Sequence, residues 1–232
     1  MQAAPLFPDT RLVEIHRRLA AYYGKPRERD AWNPLKQFIY SLLSSRTKTE
    51  ITYEVVERLE ERFGSWENLR DAPVAEIEEA IRPITFPEQK AIRLKRALEQ
   101  ITERYGTLSL DFLKSYRTDK IRSWLERFDG VGSKTSAAVV NFSTLRRRAL
   151  CVDSHHLRIT ERLGFVAKGT DARETENRLM EMAPADWSPV MLDEHHTLIK
   201  THGQRTCTAK HPKCFACPLL DVCPMGQASG GR

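Results

Sequence analysis

The sequence predicts an all-α protein. In nearly every segment the apolar residues recur three and four positions apart, as on one face of a helix, and residues 121–128 show this spacing. No stretch has the alternation of apolar and polar residues that is typical of a half-buried strand. Prolines stand where several helices would begin and glycines where others would end, which is the usual asymmetry of helix termini.

These signals predict the helices in order. The first begins at Asp9 or Thr10 and ends at Gly24, and the second begins at Pro34 and breaks at residues 44–47. The others are predicted over residues 50–63, 73–81, 87–104, 121–128, 133–142, 154–163, 171–182 and 189–201. Residues 225–232 are predicted to be a disordered tail.

Composition is typical of a soluble globular protein with a polyanionic partner. The 232 residues are 41% hydrophobic and 29% charged, and the formal net charge is +6. Excess positive charge favours a partner such as nucleic acid. No apolar run is long enough to span a bilayer, and the N-terminus has no apolar signal region. We therefore expect no membrane partner and a cytoplasmic location, at the nucleoid if the source is bacterial.

The most informative stretch begins at Gly130 and ends at Asp153. Gly130, Val131 and Gly132 form a tight turn between two predicted helices, and Ser133 is predicted to cap the second of them. A hairpin of this kind directs backbone N–H groups and the positive end of a helix dipole at one place. We expect a phosphate group to bind there.

Lys134 and Asp153 are the candidate catalytic residues. Lys134 stands at the start of the second helix, where the positive helix end disfavours a second positive charge and so raises the fraction of neutral, nucleophilic amine. Asp153 begins the next helical pattern and can both cap that helix and present a carboxylate. An amine and a carboxylate beside a phosphate-binding hairpin indicate catalysis on nucleic acid. The alternative is a surface lysine near an ordinary capping aspartate, and this stretch alone does not decide between the two.

Four cysteines near the C-terminal end form a candidate metal site. Cys207, Cys214, Cys217 and Cys223 have the spacing C-x6-C-x2-C-x5-C. Four thiolates in a short loop can hold a zinc ion or an iron–sulfur cluster. Structural zinc usually takes two Cys-x-x-Cys pairs, and only one is present here, so the spacing favours a four-iron cluster over zinc. The fifth cysteine, Cys151, lies outside this set and is predicted to be a packed free thiol.

The segment around these cysteines is basic. Between Glu194 and Asp221 there are lysines and arginines but no acid, and Lys210 and Lys213 lie within the cysteine loop. Such a run is often only a solvated surface. Around a metal centre that fixes its shape, it can contact the phosphates of a nucleic-acid backbone.

Together these features resemble the endonuclease III family, which consists of base-excision DNA glycosylases with a helix-hairpin-helix motif and a C-terminal iron–sulfur loop. The motifs that carry the resemblance are Gly-Val-Gly-Ser-Lys-Thr at 130–135, Val-Asp-Ser-His at 152–155, and His-Gly at 202–203 followed by the cysteine spacing. The similarity extends over residues 33–224, which is nearly the whole chain.

The resemblance implies an α fold of two domains with a DNA cleft between them. Residues 33–147 would form a six-helix barrel that includes the hairpin. Residues 1–32 and 148–224 would form a second domain, in which the four cysteines hold a 4Fe–4S cluster. The implied partner is double-stranded DNA that carries a damaged base or an abasic site, and we expect the protein to be a monomer.

The resemblance also implies the chemistry. Lys134 matches the family's nucleophilic lysine and Asp153 its catalytic aspartate, so a bifunctional glycosylase and AP lyase that prefers oxidised pyrimidines is expected. The lysine would form a Schiff base with C1′ of the sugar, and β-elimination would then break the strand. Contacts to DNA are expected from Arg46, Phe86, Gly130, Val131, Gly132, Ser133, Thr135, Lys210 and Lys213.

Three places depart from the family pattern. Arg46 stands where a glutamine usually fills the gap left by the flipped nucleotide, and Asp129 replaces a proline near the phosphate site. Thr85-Phe86-Pro87 replaces the usual Gly-Phe/Leu-Tyr of the loop that enters between the strands. These changes leave two other functions open, although the retained lysine argues against the first. One is a mismatch-directed glycosylase without lyase activity, and the other is a weakly active or non-catalytic protein that binds damaged DNA.

Overall fold

A computed structural model of the chain describes residues 10–229. The α-helices in this range are α1 (Arg11–Tyr23), α2 (Pro34–Leu43), α3 (Thr49–Phe63), α4 (Trp66–Asp71), α5 (Val74–Ala80), α6 (Pro87–Tyr105), α7 (Thr118–Leu125), α8 (Ser133–Phe142), α9 (Ser154–Arg162), α10 (Ala172–Met182), α11 (Pro189–Arg205) and α12 (Pro224–Ala228). The all-α prediction is confirmed, since the β-type pairing among the described residues is one isolated bridge between Trp32 and Ser143. In this range no helix combines the length and the apolar character that crossing a bilayer requires.

Local signals in the sequence determine several helix ends. Asn33 accepts a hydrogen bond from the Lys36 amide (2.9 Å) at the start of α2, and Pro34 lies in the first turn of this helix. Gly64 ends α3 with a φ of +72°, a left-handed conformation that favours glycine. Such ends are predictable because they depend only on residues close in the chain.

Residues 31–145 form one compact unit, the barrel unit, which contains α2–α8. In it α2 packs against α8, and α6 packs against α4 and α5. Its core is filled by buried apolar side chains such as Phe38, Leu59, Leu94, Ile121 and Val139. Burying one such side chain contributes about 1.5–3 kcal/mol, so the apolar faces of these helices are the main source of the unit's stability.

The other compact unit, in its described part, comprises residues 10–30 and 146–229 and contains α1 and α9–α12. We call it the cysteine unit. Here α11 packs against α9 and α1 around apolar residues that include Leu12, Ile159 and Leu198. A salt bridge between Arg18 and Asp221 joins α1 to the loop before α12. The boundaries between the two units lie at residues 30/31 and 145/146. The sequence predicted domain boundaries at 32/33 and 147/148.

Two predictions about helix starts need correction. Ser133 is the first residue of α8 and not its N-cap, because Gly132 has the extended conformation of a cap residue and its carbonyl accepts from the Ser136 amide. Thr10 occupies the N-cap position of α1 but makes no capping hydrogen bond through its side chain. The alternative cap, Asp9, lies outside the described residues.

Other predicted bounds were also wrong. α7 begins and ends three residues earlier than predicted, and α4 was not predicted. α11 continues past its predicted end at residue 201 to Arg205. Gly203 lies within it because a Cβ there would lie 2.5 Å from Nδ1 of His155, so close packing and not a helix end requires this glycine. The predicted tail at 225–232 is wrong for its first residues, because Pro224 starts α12 and the Gly226 amide donates to the Cys223 sulfur. Residues 230–232 of that prediction lie outside the described range.

Candidate active site and metal centre

The hairpin between α7 and α8 is a tight turn with an open surface. The Val131 amide donates to the Phe128 carbonyl (3.1 Å), and Gly130 has a φ of +81°. A Cβ at Gly130 would also lie 3.3 Å from the Arg93 side chain, so conformation and packing both favour glycine there. At Gly132 φ is −107°, and a Cβ would meet no protein atom within 4 Å. Neither reason applies to Gly132, and its missing side chain leaves the start of α8 open to close approach by a phosphate.

Arg122 ties α7 to the first turn of α8. Its guanidinium donates to the Ser136 hydroxyl (3.1 Å) and to the Ser133 carbonyl (3.2 Å). The Ser136 hydroxyl also donates to the Glu126 carboxylate. Because Ser136 is fully buried, this network has little competition from water and holds the hairpin in one geometry.

Lys134 is the second residue of α8, and its side chain is half-buried. Its Nζ lies 3.5 Å from the hydroxyl oxygen of Ser44, the residue that ends α2. The predicted nucleophile therefore stands directly beside the hairpin surface at which a phosphate can bind.

Arg46 and Phe86 are exposed neighbours in the barrel unit, and we call them the wedge pair. The central guanidinium carbon of Arg46 lies 5.9 Å from the centre of the Phe86 ring, within cation–π range. Both residues have positive φ, +56° and +57°, which is uncommon for residues other than glycine. Thr85 joins their loops, since its hydroxyl donates to the Arg46 carbonyl (2.8 Å) and its amide to the Thr47 hydroxyl (3.1 Å). The aromatic ring of this loop is thus exposed, and the arginine shares its surface.

Lys90 is buried and lines the same open pocket as the wedge pair. Its ammonium group donates to the carbonyls of Leu43 (2.7 Å) and Ser45 (2.6 Å) at the end of α2, and lies 3.3 Å from the Thr47 hydroxyl. Burial, followed by the positive charge of Lys134, lowers the pKa of Lys90 to about 8. Lys90 thus fixes the loop that carries the arginine of the wedge pair.

Asp153 caps α9, as predicted. Its Oδ1 accepts hydrogen bonds from the backbone amides of His155 (2.9 Å) and His156 (3.0 Å), and from Nδ1 of the His156 ring (3.0 Å). Burial alone would raise the pKa of the Asp153 carboxyl, but the hydrogen bonds from His156 outweigh it, so the pKa lies well below its usual range. The side chain is 13% exposed, and it therefore presents an ionised carboxylate to solvent at neutral pH.

The four cysteines of the predicted metal site line one pocket in the loop that follows α11. The amide of Leu219 donates to the Cys217 sulfur (3.4 Å), and the amide of Gly226 donates to the Cys223 sulfur (3.4 Å). Burial raises the pKa of both thiols, that of Cys217 to about 11. Converging sulfurs that accept backbone hydrogen bonds are suited to thiolate ligation of a metal centre.

Two arginines of α9 hold this loop in place. Arg162 lies 3.1 Å from the Cys207 sulfur through one of its nitrogens, and the same nitrogen donates to the Thr208 carbonyl (2.8 Å). Arg158 donates to the carbonyls of Cys207 (3.0 Å) and Gly203 (2.9 Å). The arginines are four residues apart and so project from the same face of the helix.

The residues predicted to contact DNA fall into two groups. Arg46, Phe86, Gly130, Gly132, Lys210 and Lys213 are exposed, and Ser133 is half-buried. Val131 and Thr135 are buried, at 6% and 8% exposure. Their side chains pack inside the barrel unit, so the prediction that these two contact DNA can hold only for their backbone atoms.

Asp129 places an acid next to the hairpin, where its negative charge would disfavour a bound phosphate. Its carboxylate accepts a hydrogen bond from Nε of Arg93 (3.0 Å), and both side chains are well exposed. The ion pair partly neutralises the acid, so its expected effect on a bound phosphate is reduced.

Sequence reasoning missed Lys90, His156 and the arginines that hold the hairpin and the cysteine loop. Lys90 precedes Leu94 by one helical turn, and His156 precedes Ile159 in the same way, so both stand on apolar helix faces. A polar residue on an apolar face was the available signal. The arginines gave no such signal, because exposed helix faces are rich in arginine.

Comparison with known proteins agrees with this geometry. A family model described as HhH-GPD superfamily base excision DNA repair protein matches residues 39–185. The chain is 30% identical over 196 residues to endonuclease III of Bacillus subtilis, covering 84% of this chain and 83% of that protein. It is 30% identical over 206 residues to endonuclease III of Thermotoga maritima, covering 88% and 89%. In three dimensions it is similar to a trapped covalent endonuclease III–DNA intermediate, with a TM-score of 0.80, 25% identity, and coverage of 97% of this chain and 100% of that chain.

Proposed function

Because this chain belongs to the HhH-GPD superfamily of base excision DNA repair proteins, and within it to the endonuclease III family, we propose that it is a bifunctional DNA glycosylase and AP lyase that removes oxidised pyrimidines. The observation that carries this proposal is the place of Lys134, in the first turn of α8 beside a hairpin open to a phosphate. Relatives that excise a base without cutting the strand typically lack this lysine.

The proposed lyase reaction needs a neutral amine at the sugar. Nζ of Lys134 attacks C1′ of an opened abasic sugar, and loss of water leaves a protonated Schiff base. The positive charge acidifies the hydrogen on C2′. Removal of that proton expels the 3′ phosphate and so breaks the strand, and hydrolysis of the Schiff base with water then restores the lysine. When a damaged base is present, the same amine displaces it from C1′ after the nucleotide has left the helix.

We assign the acid–base role to Asp153. Its ionised carboxylate can stabilise positive charge on the sugar as the base leaves, and it can accept a proton from the attacking amine. Asp153 belongs to the cysteine unit and Lys134 to the barrel unit. The assignment therefore rests on the Val-Asp-Ser-His motif at 152–155 that the chain shares with the family.

Several exposed groups are proposed to hold the DNA. The open start of α8 would bind one phosphate, and Lys210 and Lys213 would contact others. The wedge pair would fill the space that the flipped nucleotide leaves, with the aromatic ring stacking on a neighbouring base. We also infer that the protein works in the compartment that contains the chromosomal DNA.

The cysteines are proposed to hold a 4Fe–4S cluster and not zinc. Structural zinc usually takes two Cys-x-x-Cys pairs, whereas this loop has one pair and wider gaps of six and five residues to its other two cysteines. Four thiolates with this spacing are suited to a cluster of four irons. Its proposed role is structural, because it would hold the loop that carries Lys210 and Lys213 in shape.

Borohydride trapping on an abasic duplex tests the proposal, since reduction of the Schiff base links enzyme and DNA covalently. The wild type should form the adduct and Lys134→Gln should form none, because the amide is not nucleophilic. Lys168→Gln is the matched control, since it removes an exposed lysine outside the site, and it should trap as the wild type does.

The other outcomes identify the alternatives. An adduct that persists in Lys134→Gln would assign the reaction to another amine, of which Lys90 is the first candidate. On duplexes that contain thymine glycol, dihydrouracil, a mismatch or an abasic site, excision at the mismatch without strand cleavage would indicate a monofunctional mismatch glycosylase. Tight binding to the abasic duplex without turnover would indicate a non-catalytic protein.

A further inference from the structure

Asp153 is held by more contacts than a helix cap requires. A capping aspartate needs only the amides of the first turn, and Oδ1 accepts two of these. The third donor to Oδ1 is the ring of His156, at 3.0 Å. The second oxygen, Oδ2, makes no hydrogen bond to a described residue. One oxygen is thus fully engaged, while the other remains available to a substrate.

The His156 ring is itself fixed in place. It is completely buried and stacks on the ring of His196, with centroids 5.0 Å apart and an angle of 9° between the planes. The Nδ1 of His196 donates to the Cys151 carbonyl (2.7 Å), which prevents that ring from turning. His195 packs edge-on against His156 at 6.4 Å. The donor to Asp153 is therefore held by aromatic neighbours on α11.

The Nε2 atom of His156 indicates why a histidine, and not an apolar ring, occupies this position. An ionised carboxylate can only accept, so Nδ1 carries a hydrogen, and Nε2 is the second polar atom of the ring. This Nε2 is buried and has no hydrogen-bond partner among the described residues. An unsatisfied buried nitrogen is unfavourable, and phenylalanine would fill the same space without it. The histidine is thus explained by its bond to Asp153 and not by its packing.

We propose that His156 is a positioning residue, whose Nδ1–H holds Oδ1 of Asp153 so that Oδ2 faces the sugar during base loss and β-elimination. This inference rests on the proposed function, because it assumes that Asp153 acts on the sugar. The low pKa of the Asp153 carboxyl agrees with it, since the bond from His156 favours the ionised form.

The same group of side chains is not arranged as a metal site. Ligand atoms of Asp153, His156 and His196 do lie within 4.8 Å of one another. However, both Nδ1 atoms already donate, to Asp153 and to the Cys151 carbonyl. The two ring planes are nearly parallel, so lone pairs that lie in those planes cannot converge on one ion. Positioning of the carboxylate accounts for the arrangement without a metal.

Two substitutions at His156 separate positioning from packing. His156→Phe keeps the ring and removes the donor. His156→Asn keeps a donor at the δ position but leaves a cavity where the ring was. We expect His156→Phe to be the more stable variant but to slow β-elimination by about tenfold in a single turnover on abasic DNA, as loss of a hydrogen bond to a charged group would do. His156→Asn should be less stable yet recover most of the rate.

A purely structural role predicts the reverse order of rates, and that order would overturn the proposal. Asp153→Asn supplies a second comparison. The double variant Asp153→Asn/His156→Phe should react no more slowly than Asp153→Asn alone, because His156 acts only through the Asp153 carboxylate. An additive loss would also contradict the proposal. If the wild type itself forms no Schiff base, the proposed function fails. If the wild type reacts and His156→Phe is unimpaired, only the positioning role fails.

The tautomer of His156 can be read without any variant. Long-range ¹H–¹⁵N NMR of the intact protein should show a hydrogen on Nδ1 of His156. A hydrogen on Nε2 alone would leave Asp153 without its third donor, and would overturn the proposal even if both variants failed to fold.

Discussion

The two compact units differ in the reactive side chains that they contain. Residues 31–145 include no histidine and no cysteine, so all seven histidines and all five cysteines of the chain lie in the cysteine unit. The barrel unit, which the structure describes in full, buries one ionisable side chain, that of Lys90. The described part of the cysteine unit buries Glu176, Asp193, His156, His195, His196 and His202.

This difference indicates two ways of building a site. The barrel unit is stabilised by apolar packing, and it places Lys134 through backbone geometry at the start of a helix. The cysteine unit places Asp153 through side-chain hydrogen bonds. Its cysteine loop is held by arginines and, as proposed, by a metal centre bound to the four sulfurs. The stability of the barrel should therefore be insensitive to metal and to mild acid, whereas that of the cysteine unit should respond to both.

Loss of the metal centre should separate the units most clearly. Cys217→Ser removes one of the four proposed cluster ligands, and we expect loss of the visible absorption of an iron–sulfur cluster. Hydrogen exchange in the loop at 206–223 should become about tenfold faster or more, because the loop has little regular structure of its own. Exchange in α2–α8 should be unchanged.

Cys151→Ser is the matched control for that experiment. Cys151 is buried outside the cysteine pocket, so its replacement should leave the absorption and the exchange of the loop as in the wild type. Equal loosening of both units in Cys217→Ser would contradict the proposed difference between them.

Within the barrel unit, Lys90→Met should have the next largest effect. The substitution leaves the buried carbonyls of Leu43 and Ser45 without their donor, which should cost about 2–3 kcal/mol of unfolding free energy. Urea unfolding measures this loss. Borohydride trapping should persist, because Lys134 is intact.

Lys95→Met provides the control for the buried amine. Lys95 also donates to two carbonyls, those of Arg70 and Ala72, but its side chain is 22% exposed and water can replace it. We expect a loss below about 1 kcal/mol. If both variants lose the same stability, burial is not what makes Lys90 important.

The barrel helices could largely be predicted from the sequence, because apolar spacing, prolines and glycines act over a few residues. The same is true of two site features, since Asp153 caps the helix that it begins and Lys134 lies in the first turn of its helix. The predicted cap at Ser133 failed by one residue, because Gly132 adopts the cap conformation without needing a side chain.

What escaped prediction depends on contacts between distant parts of the chain. Lys90 bonds to carbonyls 45 and 47 residues away, and Arg162 reaches Cys207 across 45 residues. No local pattern specifies such a partner, because packing of whole helices decides which groups meet. His156 was missed for the same reason, since the rings that hold it lie on α11.

The contribution of one buried histidine to acid sensitivity should be the smallest of these effects, and mild acid should act only on the cysteine unit. Burial lowers the pKa of His195 and of His196 well below the ordinary value of 6.5. Below that value the unfolded chain therefore binds more protons than the folded one, so stability falls as pH falls. The slope contributed by one such histidine is at most about 1.4 kcal/mol per pH unit.

His195→Phe isolates one of these contributions. Nδ1 of His195 is buried without a hydrogen-bond partner among the described residues, so replacement by phenylalanine should be nearly neutral at pH 7. Between about pH 6.5 and 5, urea unfolding should then show a shallower dependence of stability on pH than in the wild type. His211→Gln, which removes an exposed histidine, should keep the wild-type slope. An unchanged slope in His195→Phe would mean that this ring takes up its proton in the folded state as readily as in the unfolded chain.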